Sequence, residues 1–408
     1  MGVSVPQAGD VRWERLSETL TLGEPATKRT AVGRYDIVRR IFDLVSEAGN
    51  HGVLMGEPGI GKSTVLNVAT QELRDAGVIV LRTAAEPELG FDALIRAAAA
   101  DVHVAPDDEM RFALAPADSE DAEPLVDMLP EGEATPAEIA ELFDQQLAGH
   151  PVLIVDDYET VGASMTDRAI SDLIKTLGES ASQATVILAG TGDNADDLHA
   201  NHDRTFKYVT EIQLRLLRPA ETFYLLDRMA EAADIAFGDD AKKLMLTASL
   251  GIPAAVQGLG RGSIGAAIES GASEVGVTEA VAGMQAAAAD LDPGLREAVD
   301  EIVGDDVEDE FLQMVFAIAA AHTDWYGRFF KPQIMQSIRH RYPHIEADES
   351  EVLAMIDSLA GTDSMCLFRH DGSAYRFRNI WLKHYLLMRY LGTRFGVSNL
   401  APMQVAAG

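Results

Sequence analysis

The feature that most constrains the fold of this chain is a glycine-rich segment at residues 56–63, which reads GEPGIGKS. The apolar residues 51–55 before it are typical of a strand, and residues 64–69 after it show helical spacing. Glycines allow the backbone to turn its N–H groups inward around phosphate oxygens, and the N-terminus of the next helix adds the positive end of its dipole. A chance glycine-rich turn would need neither the strand nor the helix. The segment therefore predicts that the chain binds a nucleoside triphosphate.

Residue types within this loop predict separate roles. Lys62 would reach the β and γ phosphates, and the Ser63 hydroxyl would ligate Mg²⁺. The expected cofactors are therefore ATP and Mg²⁺. The residues expected to contact the nucleotide are Gly56, Glu57, Pro58, Gly59, Ile60, Gly61, Lys62, Ser63 and Thr64.

Two adjacent acids end the apolar run at residues 151–155. In a nucleotide-binding sheet, an acid at the carboxyl end of a strand holds the Mg²⁺, usually through water, so Asp156 is the second predicted metal ligand. Asp157 is placed to polarise the attacking water. Either acid alone could be an ordinary strand-end residue, and the loop at Lys62 is what makes the pair specific.

Two further residues are catalytic candidates. Thr191 follows the apolar run at residues 185–190 and could hydrogen-bond the γ-phosphate or the attacking water, although a strand-end turn residue is the alternative. Arg204 precedes the strand-like residues 208–212 and could act as an arginine finger on the γ-phosphate of a neighbouring subunit. A solvated surface arginine is its alternative. An arginine finger would imply a nucleotide-dependent homo-oligomer.

The order of segments predicts an α/β fold, a P-loop parallel sheet with helices on both faces. Strands are expected at residues 51–55, 78–83, 151–156 and 184–190, with helical segments between them. Residues 103–135 interrupt this alternation with acids and prolines, as in an acidic insertion or flexible loop.

The remaining sequence divides by pattern. A helical, alanine-rich stretch is expected to form a lid, and a later set of helices followed by a hairpin is expected to form a winged-helix domain. The expected domains are an N-terminal arm at 1–32, the core at 33–217, the lid at 218–300, the winged helix at 308–395 and a tail at 396–408.

Composition indicates the cellular environment in which the chain folds. The formal net charge of −32 over 408 residues favours adaptation to a cytoplasm of very high salt over an acidic surface that mimics or repels nucleic acid. The single cysteine, Cys366, fits a reducing compartment. The longest apolar stretch, residues 311–321, is about half of a membrane span. We expect a cytoplasmic, halophilic protein with no membrane partner.

Charge changes in the C-terminal third. Residues 311–395 contain 10 Lys and Arg against 8 Asp and Glu, so this region lacks the acidity of the rest. We therefore expect it to contact duplex DNA, although a winged helix used only for packing and protein contacts is the alternative. The candidate phosphate contacts are Arg339, His340, Arg341, Tyr342, Arg376, Arg378, Lys383 and Arg389.

The loop at Lys62, the acids Asp156 and Asp157, then Thr191 and Arg204, stand in an order that resembles the AAA+ superfamily. The chain is most similar to the archaeal ATPase and signalling-NTPase (STAND) branch and to the related origin-recognition ATPases, over roughly residues 30–290 and in outline at the winged helix. That resemblance implies a place near the nucleotide for the Gly33–Arg34 pair and, in the lid, a place beside the adenine for Pro253. The alternative for Pro253 is a plain helix start.

The resemblance also implies an activity. Family members usually have glutamate at the second acid, so Asp157 implies slow ATP hydrolysis. The expected function is an ATP-dependent switch that acts on DNA in replication initiation, mobile-element maintenance or defence. The alternative is a non-hydrolysing, nucleotide-gated signalling scaffold that binds protein partners.

Overall fold

The computed structural model describes residues 32–108, 110–162, 164–192, 205, 207–303, 309–324, 327–346, 348–360, 367–371 and 374–394. These residues form two compact units, one ending at Leu214 and one beginning at Arg215. Arg204, the tail and all but the last residue of the expected arm lie outside the described residues.

The first unit is a sheet flanked by helices. Its elements in chain order are α1 (Tyr35–Val45), β1 (His51–Met55), α2 (Lys62–Asp75), β2 (Val80–Ala84), α3 (Phe91–Ala99), β3 (His103–Pro106), β4 (Phe112–Leu114), β5 (Glu123–Pro124), α4 (Pro136–Glu141), β6 (Val152–Asp156), α5 (Met165–Glu179), β7 (Thr185–Gly190) and β8 (Val209–Gln213).

The central sheet has the strand order β2–β6–β7–β1–β8, and every neighbouring pair is parallel. All residues of β1, β6 and β7 are buried, which explains why these strands are apolar runs in the sequence. The predicted α/β parallel sheet is confirmed. Its geometry brings the carboxyl ends of β1, β6 and β7 to one edge, where the loop at residues 56–61 also lies.

The acidic segment at residues 103–135 is folded, so the expectation of a flexible loop is wrong. Strands β4, β3 and β5 form a small antiparallel sheet in that order. Val104 and Leu125 are fully buried and belong to the same hydrophobic cluster as the central sheet. A few apolar residues therefore anchor the segment, while Asp118, Glu120 and Asp121 are exposed.

The second unit is mostly helical. Its elements are α6 (Pro219–Ala233), β9 (Ala236–Phe237), α7 (Asp239–Ser249), α8 (Pro253–Ser270), β10 (Glu274–Val275), α9 (Val277–Ala289), α10 (Pro293–Val303), α11 (Glu310–Ala319), α12 (Lys331–Arg341), α13 (Glu349–Ser358), β11 (Phe368–Asp371), β12 (Ala374–Phe377) and α14 (Ile380–Arg394). Among the described residues, no helix combines the length and apolarity needed to cross a bilayer.

The hairpin expected near the C-terminus is present. Strands β11 and β12 pair antiparallel from Phe368 opposite Phe377 to Asp371 opposite Ala374. Phe329 exchanges two backbone hydrogen bonds with Tyr375, and its ring contacts Phe368 and Phe377. Three helices followed by a hairpin are the element order expected of a winged helix. The assignment of that domain, like the predicted domain boundaries, stays a prediction.

Candidate functional site

The loop between β1 and α2 has the backbone shape that its glycines permit. Gly59 has φ of 76° and Gly61 has φ of 98°, both in the left-handed region that favours glycine. Gly61 immediately precedes α2 and has no side chain with which to cap it. The first backbone N–H groups of α2 therefore point toward a place where an anion can bind.

Lys62 is the central cation of this loop. Only 8% of its surface is exposed, and its Nζ donates hydrogen bonds to the carbonyls of Gly56 at 2.9 Å and Glu57 at 3.4 Å. The same atom donates to the Thr191 hydroxyl at 3.2 Å. Thr191, which is 129 residues away in sequence, is thus brought to the phosphate loop.

Four carboxylates surround this ammonium group. Burial lowers the pKa of Lys62, and the nearby negative charges oppose that shift. In decreasing order of effect they belong to Glu159, Asp156, Asp157 and Glu57. Glu159 was missed by the sequence reasoning, although its place three residues after Asp156 was a usable signal.

Asp156 ends β6 and is 5% exposed. Its Oδ1 accepts a hydrogen bond from the Asp157 backbone N–H at 3.1 Å, and its Oδ2 pairs with the Arg82 guanidinium at 3.4 Å. Arg82 also donates to the Asn67 side-chain oxygen. Burial lowers the pKa of Arg82, and the charge of Asp156 opposes that shift. Arg82 was not among the predicted site residues, because β2 and β6 become neighbours only in the sheet.

Asp157 leaves the strand in a left-handed conformation, with φ of 50°, and its side chain is exposed. Aspartate tolerates this region better than most residues. The 3₁₀ turn Tyr158–Thr160 follows directly. Partial burial raises the pKa of Asp157, the charges of Asp156 and Glu159 raise it further, and Lys62 lowers it.

Arg34, which follows Gly33, also contacts the loop. Gly33 has φ of 67°, and Arg34, which is 2% exposed, precedes α1. One guanidinium nitrogen of Arg34 donates to the Ile60 carbonyl at 2.8 Å. The buried side chain of Arg34 therefore helps to hold the loop in place through Ile60, and it lies beside Gly61.

The remaining candidate residues are Ser63 and Thr64 in the first unit and Pro253 in the second. Ser63 lies in the first turn of α2 with an exposed side chain, and Thr64 beside it is half-buried. Pro253 is the first residue of α8, in the second unit. The preceding Gly251 has φ of 74°, and a Cβ there would lie 2.4 Å from the Leu217 carbonyl oxygen, so only glycine fits.

Three of the expected phosphate contacts in the C-terminal third are wrong. Arg376 is 5% exposed and Lys383 is 3% exposed, so neither can reach a duplex. Burial lowers the pKa of Lys383 to about 7. Arg389 pairs with Asp300 at 2.7 Å. These cations read as surface charge in the sequence, whereas β12 and α14 pack them inward.

The geometry of the loop fits a magnesium nucleotide. Backbone N–H groups at the start of α2 and the buried Lys62 ammonium suit phosphate oxygens. The Ser63 hydroxyl and the Asp156 carboxylate are oxygen donors of the kind that Mg²⁺ prefers. The existing acceptors of Lys62 are neutral oxygens, so exchanging them for phosphate oxygens would strengthen its hydrogen bonds.

Residues 30–189 match the family described as an AAA ATPase domain. Curated protein sequences yield no significant match. Among solved structures, the chain is similar to the Walker-type ATPase of Pyrococcus abyssi, with 13% identity over 90% of this chain and 99% of that chain and a TM-score of 0.50. It is also similar to the ORC2 protein of Aeropyrum pernix in its ADPNP–ADP complexes, with 13% identity over 95% and 100% of the two chains and a TM-score of 0.50.

The RuvB Holliday junction branch migration motor of Thermotoga maritima matches with 14% identity over 88% of this chain and 97% of that chain. Its TM-score is 0.44. At these identities the other two likenesses show the fold alone. Residues 30–189 thus match an AAA ATPase domain, and the chain has the fold of the AAA+ P-loop ATPases.

Proposed function

We propose that this chain binds ATP with Mg²⁺, hydrolyses it slowly, and uses the bound nucleotide to switch its assembly and its action on DNA. The observation that carries the proposal is the buried Lys62 ammonium, hydrogen-bonded between the loop carbonyls and the hydroxyl of Thr191. That arrangement joins the loop to the end of β7 at the place where a γ-phosphate would lie.

The binding step follows from residues of this chain. Lys62 exchanges its neutral acceptors for oxygens of the β and γ phosphates, while the N–H groups at the start of α2 hold the other phosphate oxygens. Ser63 and Asp156 hold the metal, Asp156 through water. When bound, Mg²⁺ neutralises phosphate charge and polarises the γ-phosphoryl group. Arg34 keeps the loop in shape from its buried position.

The hydrolytic step needs a group that accepts a proton from water. Asp157 fits because it directly follows β6 with an exposed side chain, and its raised pKa makes it a better base than an ordinary aspartate. Lys62 opposes that rise and so helps to keep Asp157 ionised. Its carboxylate is one methylene shorter than glutamate, which supports slow turnover. Thr191 would hydrogen-bond the γ-phosphate or the attacking water.

Assembly and DNA action are the less direct parts of the proposal. Arg204 would contact the γ-phosphate held by a neighbouring subunit, and Pro253 would pack beside the adenine within a lid at residues 218–300. Residues 308–395 would form a winged helix that contacts duplex DNA. The weak net charge of that region supports this role, since a strongly acidic surface would repel phosphates. A cytoplasm of high salt would suit the acidity of the rest.

One observation favours a second candidate, a nucleotide-gated scaffold that binds proteins and does not hydrolyse ATP. The helix before the hairpin, α13, has Glu349, Glu351 and Asp357 and no lysine or arginine. The buried Arg376 and Lys383 weaken the case for DNA further.

Steady-state ATPase measurements with and without duplex DNA test the proposal. We expect slow phosphate release that Lys62→Ala abolishes and that DNA changes in rate. Release no faster from the parent than from Lys62→Ala, with ATP binding intact, would favour the scaffold instead.

A further inference from the structure

Five of the ten lysines and arginines of residues 311–395 are either buried or bonded to other groups of the chain. Arg376 and Lys383 are buried, Arg389 pairs with Asp300, and Arg328 pairs with Asp324 at 2.7 Å. Arg341 is half-buried and donates to the Ser337 hydroxyl. A region that is nearly neutral in sequence therefore presents far fewer cations at its surface than its composition suggests.

Lys331 and Arg339 differ from these cations because their charged groups are accessible to solvent. Both side chains are exposed, and in the part of the chain that the structure describes neither has an ion pair or a side-chain hydrogen bond. Both belong to α12, eight residues apart, which places them about 12 Å apart along the helix axis. They also lie on the same side of that helix, because both line one surface groove.

The groove has a volume of about 570 Å³ and a mixed lining. Gln336 and His340 add exposed hydrogen-bonding groups between and beside the two cations. Pro332 and Met335 form its apolar floor, and Glu349 at the start of α13 is the one acid of the lining. The buried face of α12, with Ile334 and Ile338, fixes this orientation by packing inside the unit.

Helix α13, in contrast to the exposed face of α12, is acidic. Asp348 caps it, Glu351 completes the capping box, and Glu349 and Asp357 add two more acids. In a helix–turn–helix arrangement the second helix normally enters the major groove. Phosphates would repel α13, so that way of docking does not suit this chain.

We propose that the exposed face of α12, and not α13 or the hairpin, contacts the phosphate backbone of duplex DNA. Lys331 and Arg339 would neutralise two phosphates, and Gln336 and His340 would donate hydrogen bonds to phosphate or sugar oxygens. This inference rests on the proposed action on DNA and names the surface that performs it. Because these contacts carry no sequence information, binding through them is non-specific.

The test uses the full-length chain and a fluorescent 30-base-pair duplex, with anisotropy measured over a series of salt concentrations. Lys331→Gln with Arg339→Gln should weaken binding at least about tenfold at low salt and reduce the salt slope by about two, one for each lost phosphate contact. Glu349→Gln should tighten binding, because it removes the repulsive charge from the groove.

The matched control is Arg228→Gln with Lys243→Gln, which removes one half-buried and one exposed cation elsewhere in the same unit. Each of those pairs with an acid on its own helix, so the loss should leave DNA affinity within about twofold. Far-UV circular dichroism and a thermal unfolding curve that match the parent should report intact folding of both double variants, and ATP affinity should stay unchanged because the nucleotide loop lies in the first unit.

Three outcomes decide the matter. If the parent binds the duplex and the α12 variant binds with the same affinity and slope, the surface is misassigned although DNA action stands. If the α12 variant loses self-association and keeps its DNA affinity, the groove receives a second, acidic copy of this chain and the inference is overturned. If the parent binds no duplex at any salt concentration, the DNA part of the proposed function fails, and this inference fails with it.

Discussion

Replacing Arg82 with methionine should make the site bind Mg²⁺ more tightly while slowing turnover. In the structure, Arg82 pairs with the same Asp156 carboxylate that is proposed to hold the metal. Mg²⁺ must therefore compete with a fixed positive charge, and Arg82→Met removes that competitor. Turnover should fall because Asp156 then loses one of the two contacts that orient it.

The size of the effect follows from the geometry. Opposite charges 3.4 Å apart attract by about 5 kcal/mol at an effective dielectric constant of about 20. Desolvation offsets most of this, because the side chains of Arg82 and Asp156 are only 20% and 8% exposed. If about 1.4 kcal/mol of net attraction between the two side chains remains, it corresponds to a tenfold change in affinity. The half-saturating Mg²⁺ concentration should therefore fall about tenfold.

The assay is a Mg²⁺ titration of a fluorescent ATP analogue bound to the protein at fixed concentration. Arg82→Lys keeps the charge and should change the midpoint by less than about threefold. Arg96→Met is the matched control, since Arg96 pairs with Asp92 on α3, away from the loop residues. An unchanged or higher Mg²⁺ midpoint in Arg82→Met would refute the reasoning, because the ion pair would then not compete with the metal.

Other predictions concern catalysis, assembly and stability. Asp157→Asn should keep ATP affinity but slow phosphate release at least tenfold, since an amide accepts no proton from water; if Glu159→Gln alone has that effect, Glu159 is the base. An Arg204→Ala protein mixed with a Lys62→Ala protein should regain part of the ATPase activity, and a mixture that stays inactive at concentrations where the parent assembles would argue against an arginine finger. Lys383 has a folded-state pKa of about 7, below its ordinary value, so the unfolded chain binds more protons above that pH and stability rises with pH from about 7 to 10. Lys383→Met should therefore stabilise the protein at pH 7, by about 2–4 kcal/mol, and flatten that rise; urea unfolding at pH 7 and pH 9 measures both effects.

The central sheet was predictable because parallel strands that are buried on both faces have continuous apolar sequences. Strands β1, β6 and β7 are buried along their whole length, so their sequence has little freedom to be polar. The loop was predictable for a different reason. Two of its three glycines, Gly59 and Gly61, adopt positive φ, which other residues rarely do, and its lysine follows at fixed spacing.

Two charged residues near Asp156, Arg82 and Glu159, were not predicted from the sequence. Arg82 reaches it only because β2 lies beside β6 in the sheet, although 74 residues separate the two side chains. Strand order is a property of the whole fold, and a local pattern does not encode it. Glu159 was not predicted because it lies in the turn after the adjacent pair of acids, outside the strand-end pattern.

Composition misled the reasoning in two places. Residues 103–135 are acidic enough to suggest a loop, yet Val104 and Leu125 suffice to anchor a small sheet. In the C-terminal third, counting charges treated Arg376 and Lys383 as surface groups, and both are buried. Net charge describes a segment, whereas contact with DNA depends on which side chains the fold exposes.

The most direct measurement of the central claim is equilibrium binding of a fluorescent ATP analogue to Lys62→Ala. Two or three charge-assisted hydrogen bonds to phosphate, each contributing about 1.5–3 kcal/mol, depend on this ammonium group. Affinity should therefore fall by at least about a hundredfold. Lys175→Ala is the control, because Lys175 is a half-exposed lysine of the same unit that pairs with Glu179, and the affinity of this variant for the analogue should match that of the parent. Binding by Lys62→Ala as tight as by the parent would contradict the assignment of this loop as the nucleotide site.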